Sequence, residues 1–286
     1  ENYLSFFQAA SFLKYGNNLK VVRVANAFKN ATAAGTGGAV IDNDDVYDAD
    51  FSDGQELTKG PWAARNPGVL GNSLRIEVLT NPAQFGPGLW AYSNEFDGAP
   101  ATSDYVADRS GSGDEMHIVI VDEGGMFTGT PGTILEKYAF VSQASDAKKA
   151  DGSNNYYKDV INTNSKYIFW LIHDVLGAGD TAAGTAFLQT DTYVNTSYSL
   201  IGGFDGNPIT NAQLQQGLDL FGDADTVDIN LIISPIDIAV NNADLGAYAL
   251  SIADQRKDCV ALISPPLAAT VANTTPVPDI IAYFDL

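Results

Sequence analysis

Apolar and polar residues recur along the first part of the chain with spacings typical of helices and strands. Apolar residues at helical spacing cover residues 3–15, and Gly16 follows where a helix usually stops. The β-branched run at residues 19–25 then predicts a buried strand. Residues 74–79 alternate apolar with charged side chains, which favours an edge or antiparallel strand with one wet face. A helix followed by a buried strand is typical of α/β proteins, so we expect that class.

The middle of the chain predicts a hairpin followed by a helix and a strand. In chain order, the predicted elements are strands 116–122 and 133–141 around an overlong glycine-rich turn at 123–132, a short helix at 156–162, an apolar strand at 166–173 and a loop at 177–195.

The last third alternates helices and strands with short connections, in the manner of βαβ units. The predicted elements are a helix at 211–221, a strand at 227–233 that ends at 234–235, a helix at 243–254, a strand at 259–263 and an amphipathic pattern that opens at Pro278. Strands connected in this way lie parallel, so the pattern predicts a mixed sheet with parallel central strands and flanking helices.

Two stretches lack regular periodicity and interrupt the predicted core. Residues 26–66 are rich in Ala, Gly, Thr and Asp, and we interpret them as an inserted surface excursion. Residues 81–113 carry repeated Gly, Pro, Asn and Asp, which predicts a loop-rich or small β insertion. We therefore expect the core α/β domain to comprise residues 1–25, 67–80 and 114–286.

Composition and charge exclude several classes of protein. The 286 residues include 15 Lys and Arg against 35 Asp and Glu, a net charge of −20. Such a chain repels phosphate, so nucleic acid is not an expected partner. No apolar run approaches the roughly 20 residues that span a bilayer, which predicts no membrane insertion. The chain has no signal-peptide pattern, begins without Met and stops inside an amphipathic pattern, so we expect a truncated or protease-resistant fragment.

The residue types that most often take part in catalysis form no recognisable catalytic motif in this sequence. His117 and His173 both fall in apolar strand runs, which favours rings held within or beside the core. No Gly-x-Ser-x-Gly elbow is present, and residues 110–113 are interpreted as a flexible surface loop. Residues 176–179 do not match a phosphate-binding loop, and Cys259 is interpreted as a small buried hydrophobe. The chain is therefore predicted not to be an enzyme, with no catalytic residues and no cofactor.

The acidic stretch from Asp42 to Asp53 is the strongest metal candidate, because Ca²⁺ prefers several carboxylate and carbonyl oxygens. The first three ligand positions of an EF-hand loop are imitated by Asp48, Asp50 and Ser52. The pattern then fails, since Asp53 replaces the required glycine and Lys59 replaces the bidentate glutamate. A solvated acidic loop is favoured and no metal ligand is predicted, while calcium binding by residues 42–53 stays open as a hypothesis.

The turn at residues 201–206 carries three glycines within five positions. Such spacing implies unusual backbone angles or the close approach of another segment. Asp205 is expected to cap a helix or to support the loop by accepting backbone N–H bonds, which needs no ligand.

A secreted or surface protein that binds or hydrolyses carbohydrate is the alternative function that the residues leave open. The polar, glycine-rich loops around Trp62, Trp90 and Tyr92 suggest this alternative. Many carboxylates are available for a glycosidase acid pair, but the sequence does not identify which two.

Six elements, taken in order, resemble the contractile tail sheath proteins of bacteriophages. They cover most of residues 1–266, and their order carries the resemblance because each one is short. The elements are residues 12–16 with 19–24, 66–78, the hairpin after 116, 157–162 with 165–168, the turn at 202–206, and 253–259 running to 266. The chain is similar to sheath subunits of large phages of the myovirus type, such as the giant phiKZ-like phages.

This resemblance implies a subtilisin-like α/β sheath domain without a working protease triad. It implies a structural subunit of stacked hexameric rings around the tail tube, in a helical sheath whose contraction drives the tube through the host envelope for DNA ejection. The implied partners are other copies of the chain, the tail tube protein and the baseplate. The implied location is the virion, after assembly in the host cytoplasm. Since sheath proteins also carry terminal arms and a further domain, we expect this chain to be a folded monomer.

Overall fold

Helices and strands alternate in a computed structural model that describes residues 3–34, 37–54, 57–173, 181–187, 196–233, 242–265, 267–271 and 273–285. Contacts divide the chain into unit 1, formed by Glu1–Asn26 and Asn207–Leu286, and unit 2, formed by Ala27–Gly206. The predicted mixture of helices and strands is confirmed. The division differs from the predicted one, because unit 2 is one continuous segment that contains both predicted insertions.

The bounds of the elements are as follows in the described part of the chain. The strands are β1 (Trp62–Ala64), β2 (Leu74–Leu79), β3 (Glu115–Asp122), β4 (Thr133–Ser142), β5 (Ile168–Trp170), β6 (Thr196–Ser199), β7 (Leu231–Ile233) and β8 (Val260–Leu262). The α-helices are α1 (Tyr3–Phe12), α2 (Asp44–Asp50), α3 (Asp104–Ala107), α4 (Tyr157–Asn164), α5 (Asn211–Asp219), α6 (Asn242–Arg256), α7 (Leu267–Thr270) and α8 (Pro276–Phe284). Short 3₁₀ helices lie at Val69–Ser73, Pro82–Gln84 and Ser93–Glu95.

The largest sheet among the described residues belongs to unit 2 and has the strand order β4–β3–β2–β6. Its neighbouring strands are all antiparallel, and β3 and β4 form the predicted hairpin. β2 is antiparallel as predicted, but the expectation of a wet face is wrong. Arg75 and Glu77 form an ion pair at 2.9 Å, and Ser197 of β6 donates a further bond to Glu77 at 2.9 Å. These contacts cover the charged face of the strand.

Alternate residues of β3 belong to two hydrophobic clusters, so both faces of the sheet are covered. Ile118 and Ile120 pack with Trp62, Ile161 and other residues of β1, β5 and α4. On the opposite face, Val119 and Val121 pack with Trp90 and Phe96. Residues 81–113 are loop-rich, as predicted, but their aromatic side chains form this second layer of the core.

The interpretation of residues 26–66 as a surface excursion is wrong for the described part of that segment. Ala31, Ile41 and Tyr47 are buried, and Thr32 forms isolated bridges to Ala63 of β1 and to Ile201. Isolated bridges impose no regular alternation of apolar residues, which explains why the sequence shows no strand pattern here.

Unit 1 contains the parallel pair β7–β8, which places Leu231 opposite Val260 and Ile233 opposite Leu262. The predicted parallel pairing is confirmed, whereas a central position of these strands in a larger sheet is not. One face of the pair packs against α5 and α6 through Leu218 and Ile252. The helical predictions for residues 3–15, 211–221 and 243–254 correspond to α1, α5 and α6.

The predicted strand at residues 19–25 is wrong, since these residues join no strand ladder in the structure. The predicted loop at 177–195 lies largely outside the described residues, as do residues 234–235. The amphipathic pattern that opens at Pro278 lies in α8. Among the described residues, the helices are too short or too polar to cross a bilayer.

Candidate functional site

Two of the segments that carry the family resemblance meet inside unit 2, where the turn at 201–206 lies against residues 66–73. Gly203 N donates to Asn72 Oδ1 at 2.8 Å, and Asn72 Nδ2 donates to Gly203 O at 3.1 Å. A Cβ at position 203 would lie 2.3 Å from Gly68 O. Only glycine fits this closely against another main chain. We call residues 28–32, 66–73 and 200–206 the motif junction.

Asp205 supports the motif junction in the way that the sequence predicts. Its Oδ1 accepts a bond from Val69 N at 2.8 Å, at the start of the 3₁₀ helix Val69–Ser73. Gly68 precedes this helix with φ +117°, and a Cβ there would lie 2.6 Å from Asp205 Oδ1. Glycine at 68 and aspartate at 205 are therefore mutually dependent.

Residues 28–32 complete the motif junction through main-chain bonds. Lys29 and Phe204 exchange two N–H···O bonds, each 2.9 Å long. Thr32 and Ile201 likewise exchange two bonds, at 2.8 and 3.0 Å. The side chain of Asn30 is buried and links this segment to two others, donating to Ala64 O at 3.0 Å and accepting from Ile41 N at 3.0 Å.

The buried carboxylate of Asp122 anchors the far end of the 3₁₀ helix. Ser73 Oγ donates to Asp122 Oδ1 at 2.6 Å, while Oδ2 accepts from Phe127 N, Thr128 N and Thr128 Oγ1 at 3.0, 2.8 and 2.9 Å. Burial opposes ionisation, but the bonds from Ser73, Thr128 and Phe127 outweigh it and lower the pKa of Asp122. The charged carboxylate thus fixes the hairpin turn to the motif junction.

The chemistry available at the motif junction is positional rather than catalytic. The side chains of Asn30, Asn72, Asp122 and Asp205 bond to main-chain or hydroxyl groups of neighbouring segments. Such bonds hold several chain segments in fixed positions, and no histidine takes part in them. The arrangement holds residues 28–32, 66–73 and 200–206 together.

Both histidines occupy structural positions, as the sequence predicts. His117 is buried, with Nε2 2.8 Å from Gly98 O and Nδ1 accepting a bond from Phe140 N at 3.2 Å. These partners require a neutral ring with its proton on Nε2, and burial lowers the pKa of His117 accordingly. His173 lies between the hydroxyls of Tyr157 and Tyr156, at 2.7 and 3.2 Å.

Two other candidates differ in part from the expectation. Ser110 and Ser112 are exposed, as predicted for a surface loop. Ser112 N donates to Thr185 O at 3.1 Å and Phe187 N donates to Ser112 O at 2.8 Å, so main-chain bonds tie this loop to residues 185–187. Cys259 is half-buried against the cluster that contains Leu218 and Ile232. Residues 176–179 lie outside the described residues.

The acidic stretch at 42–53 forms a helix where the sequence favours a loop. Asn43 caps α2 by accepting a bond from Val46 N at 2.9 Å, and Asp44 and Asp45 occupy the first turn, where the helix dipole favours negative charge. Among the described residues, no three His, Cys, Asp or Glu side chains are placed to hold a metal ion. Calcium binding stays a hypothesis, which a rise in melting temperature on adding calcium would support and an unchanged melting temperature would contradict.

The aromatic residues that suggest a carbohydrate site do not expose their ring faces for stacking against a sugar. Trp62 and Trp90 are 2% and 3% exposed. Tyr92 is half-buried and accepts a bond from Arg75 at 2.8 Å, which ties the 81–113 segment to β2. A sugar-binding platform needs exposed aromatic faces, so these residues serve the core instead.

Sequence reasoning missed the buried polar residues that connect the motif junction. Asn30 and Asp122 look like ordinary loop and strand-end residues, because burial of a polar side chain leaves no periodic signal. The one available signal is glycine, since Gly68 and the glycines of 201–206 mark the places where segments approach most closely.

Comparisons with known proteins bear on this arrangement. No protein-family model matches the chain. The tail sheath protein of Salmonella phage ViI is 22% identical over 356 aligned positions, which cover 94% of this chain and 51% of that protein. The chain resembles a phage tail sheath protein. The resemblance that the ordered motifs predict is thereby confirmed, while the similarity to giant phages stays a prediction.

The sheath-like chain spans about half the length of this curated relative. A crystal structure of the sheath tail protein of Listeria innocua is 12% identical and aligns with 93% of this chain and 52% of that one, at a TM-score of 0.37.

Proposed function

We propose that the chain is a structural, non-enzymatic part of a contractile phage tail sheath. The observation that carries the proposal is its similarity to the tail sheath protein of Salmonella phage ViI over 94% of the chain. The motif junction supports the proposal, because its geometry needs no ligand and its bonds fix segments in place. A part that must transmit force between neighbours requires such internally fixed segments.

Copies of the subunit form stacked hexameric rings around the tail tube and contact the baseplate. Contraction changes the packing between subunits and drives the tube through the host envelope, which leads to DNA ejection. The energy lies in the difference between two packings of identical subunits, so a small gain per interface multiplies over many copies. The α/β domain serves as a subtilisin-like scaffold in the assembled virion, and assembly takes place in the host cytoplasm.

A carbohydrate-binding or glycan-hydrolysing function is not favoured by the structure. Trp62 and Trp90 are buried in the core of unit 2, and Tyr92 is engaged by Arg75. The loops that motivate the alternative thus use their aromatic residues for packing. A glycan array with this chain is expected to give no signal.

Negative-stain electron microscopy tests the proposal. The complete gene product that carries these residues is compared with the 286-residue chain at equal concentration, with and without purified tail tubes. We expect tubes of regular striation from the complete product and isolated particles from the chain. Isolated particles from both samples, under every condition, would contradict a sheath role.

A further inference from the structure

Charge is distributed unevenly along the chain. Residues 2–41 contain no Asp or Glu, and their basic residues are Lys14, Lys20, Arg23 and Lys29. Residues 42–286 contain 34 of the 35 acidic residues but only 11 of the 15 basic ones. The strong negative charge of the chain therefore lies outside its first 41 residues, which carry a positive charge.

Two lysines of this positive region are exposed beside apolar side chains. We call residues 14–21 the basic segment. Lys14 and Lys20 are exposed, and neither forms an ion pair with another described residue. In the same segment, Tyr15 is 94% exposed and Val21 is 74% exposed. Tyrosine is enriched at protein–protein interfaces, where its ring supplies contact area. The basic segment thus combines positive charge with apolar surface.

The fold of unit 1 holds the basic segment at both ends. Tyr15 N donates to Phe12 O at 3.0 Å, which continues the end of α1 into a turn. Just after the segment, Val24 lies on α5, since a Cβ at Gly217 would be 2.5 Å from Val24 Cγ2. A segment that is already held in place loses less conformational freedom on binding than a flexible one.

Charge complementarity favours an acidic protein surface as the partner of the basic segment. Nucleic acid and anionic membranes also attract lysine, but the rest of this chain repels them. A second copy of the chain offers the opposite charge, because unit 2 contains 24 acidic residues against 10 basic ones. The excess of carboxylates that disfavours phosphate therefore favours a second copy.

We propose that the basic segment of one copy binds the acidic surface of unit 2 of a second copy. The two surfaces differ, so the contact is head-to-tail, and head-to-tail contacts build closed rings or open helical chains. Exposed ion pairs contribute little each and are screened by salt, so the contact is weak between two isolated chains. This inference rests on the proposed sheath role, in which many copies lie side by side and a weak contact is repeated.

Carbodiimide cross-linking of the 286-residue chain tests the contact, because this reagent joins a lysine amine directly to a carboxylate that it touches. Chains with ordinary nitrogen and chains with heavy nitrogen are mixed at high concentration in about 0.1 M salt, where the Debye length is about 10 Å. Mass spectrometry then identifies linked peptides that carry both labels and so come from two copies. We expect Lys14 and Lys20 to link to Asp or Glu of residues 27–206 with about tenfold the yield of the exposed Lys148 and Lys149.

Charge reversal separates the basic segment from the net charge of the chain. Lys14→Glu combined with Lys20→Glu is expected to lower the association constant about tenfold in sedimentation equilibrium, because two exposed ion pairs are lost. Lys148→Glu combined with Lys149→Glu changes the net charge by the same amount and is the matched control, with an expected change of less than about twofold. All four lysines are exposed, and circular dichroism establishes that the variants fold. If a variant does not fold, the cross-linking of the wild type decides.

Three results would overturn the proposal. Peptides with both labels that are absent, or that arise equally from all exposed lysines, would show that the basic segment has no preferred partner on a second copy. Equal effects of the two double variants would assign the association to net charge alone. Binding of the wild type to phosphatidylserine vesicles without self-association would assign the segment to a membrane surface instead.

The outcome is separable from that of the sheath role. Links between copies, together with isolated particles from the complete gene product in the electron microscope, would contradict the sheath role and leave the contact. Tubes of the complete product without such links in the chain would contradict this inference alone.

Discussion

Replacing Asp122 by alanine is expected to destabilise unit 2 strongly. The substitution removes the acceptor of four hydrogen bonds from Ser73, Phe127 and Thr128. Hydrogen bonds to a charged group contribute about 1.5–3 kcal/mol each. In the variant, water can bond to the donors in the half-buried hairpin turn, which reduces the loss. We therefore expect a loss of about 3–5 kcal/mol in the free energy of unfolding.

Urea unfolding followed by tryptophan fluorescence measures this loss in unit 2 directly. All three tryptophans, Trp62, Trp90 and Trp170, lie in unit 2. With a denaturant dependence of about 2 kcal/mol per molar urea, the midpoint is expected to fall by about 1.5–2.5 M. Asp108→Ala, at an exposed position, is the matched control and is expected to change the free energy by less than about 0.5 kcal/mol. Equal midpoints for the two variants would refute the role assigned to Asp122.

The contribution of Asp122 to the free energy of unfolding is expected to decrease as the pH falls. Its pKa is lowered from the ordinary value of 3.8, so the charged carboxylate stabilises the folded state above that pH. This stability is lost as the pH falls through the lowered pKa and both states become protonated. The difference between wild type and Asp122→Asn is therefore expected to narrow between pH 6 and pH 3. A difference that is constant over this range would contradict the charge-based account.

Two further substitutions test the packing of unit 2. Gly203→Ala places a methyl group against Gly68 O and is expected to cost about 1–3 kcal/mol, whereas Gly98→Ala, with open space around its Cβ, is expected to be nearly neutral in the same fluorescence assay. Trp90→Ala is expected to cost about 3–5 kcal/mol, measured by circular dichroism, while the exposed neighbour change Leu89→Ala stays within about 0.5 kcal/mol. Equal effects within either pair would contradict the packing described.

The elements with regular alternation were predictable from the sequence, while their surroundings were not. The hairpin of β3 and β4 and the helices α5 and α6 follow from apolar periodicity. The strand β2 is equally clear, but the alternation of charge and apolar residues suggested a wet face. Arg75 and Glu77 neutralise each other on one face of β2, and the further bond to Glu77 from Ser197 of β6 is invisible in a single strand's pattern.

The site was predictable only where glycine marks it. The glycines of 201–206 and Gly68 indicate close approach, and Asp205 was correctly expected to accept backbone bonds. Asn30 and Asp122 were not found, because their importance arises from long-range partners in β1 and the hairpin turn. Residues 26–66 look irregular for the same reason, since isolated bridges hold them in the core.

Immunogold labelling of virions tests whether the chain is part of a phage tail sheath. Antibodies raised against residues 27–206 are bound to intact particles and visualised with gold by electron microscopy, before and after contraction is triggered. We predict gold label along the whole length of the tail sheath. The labelled length of the tail is expected to shorten on contraction. Gold confined to the capsid, the baseplate or the tail fibres would contradict the account.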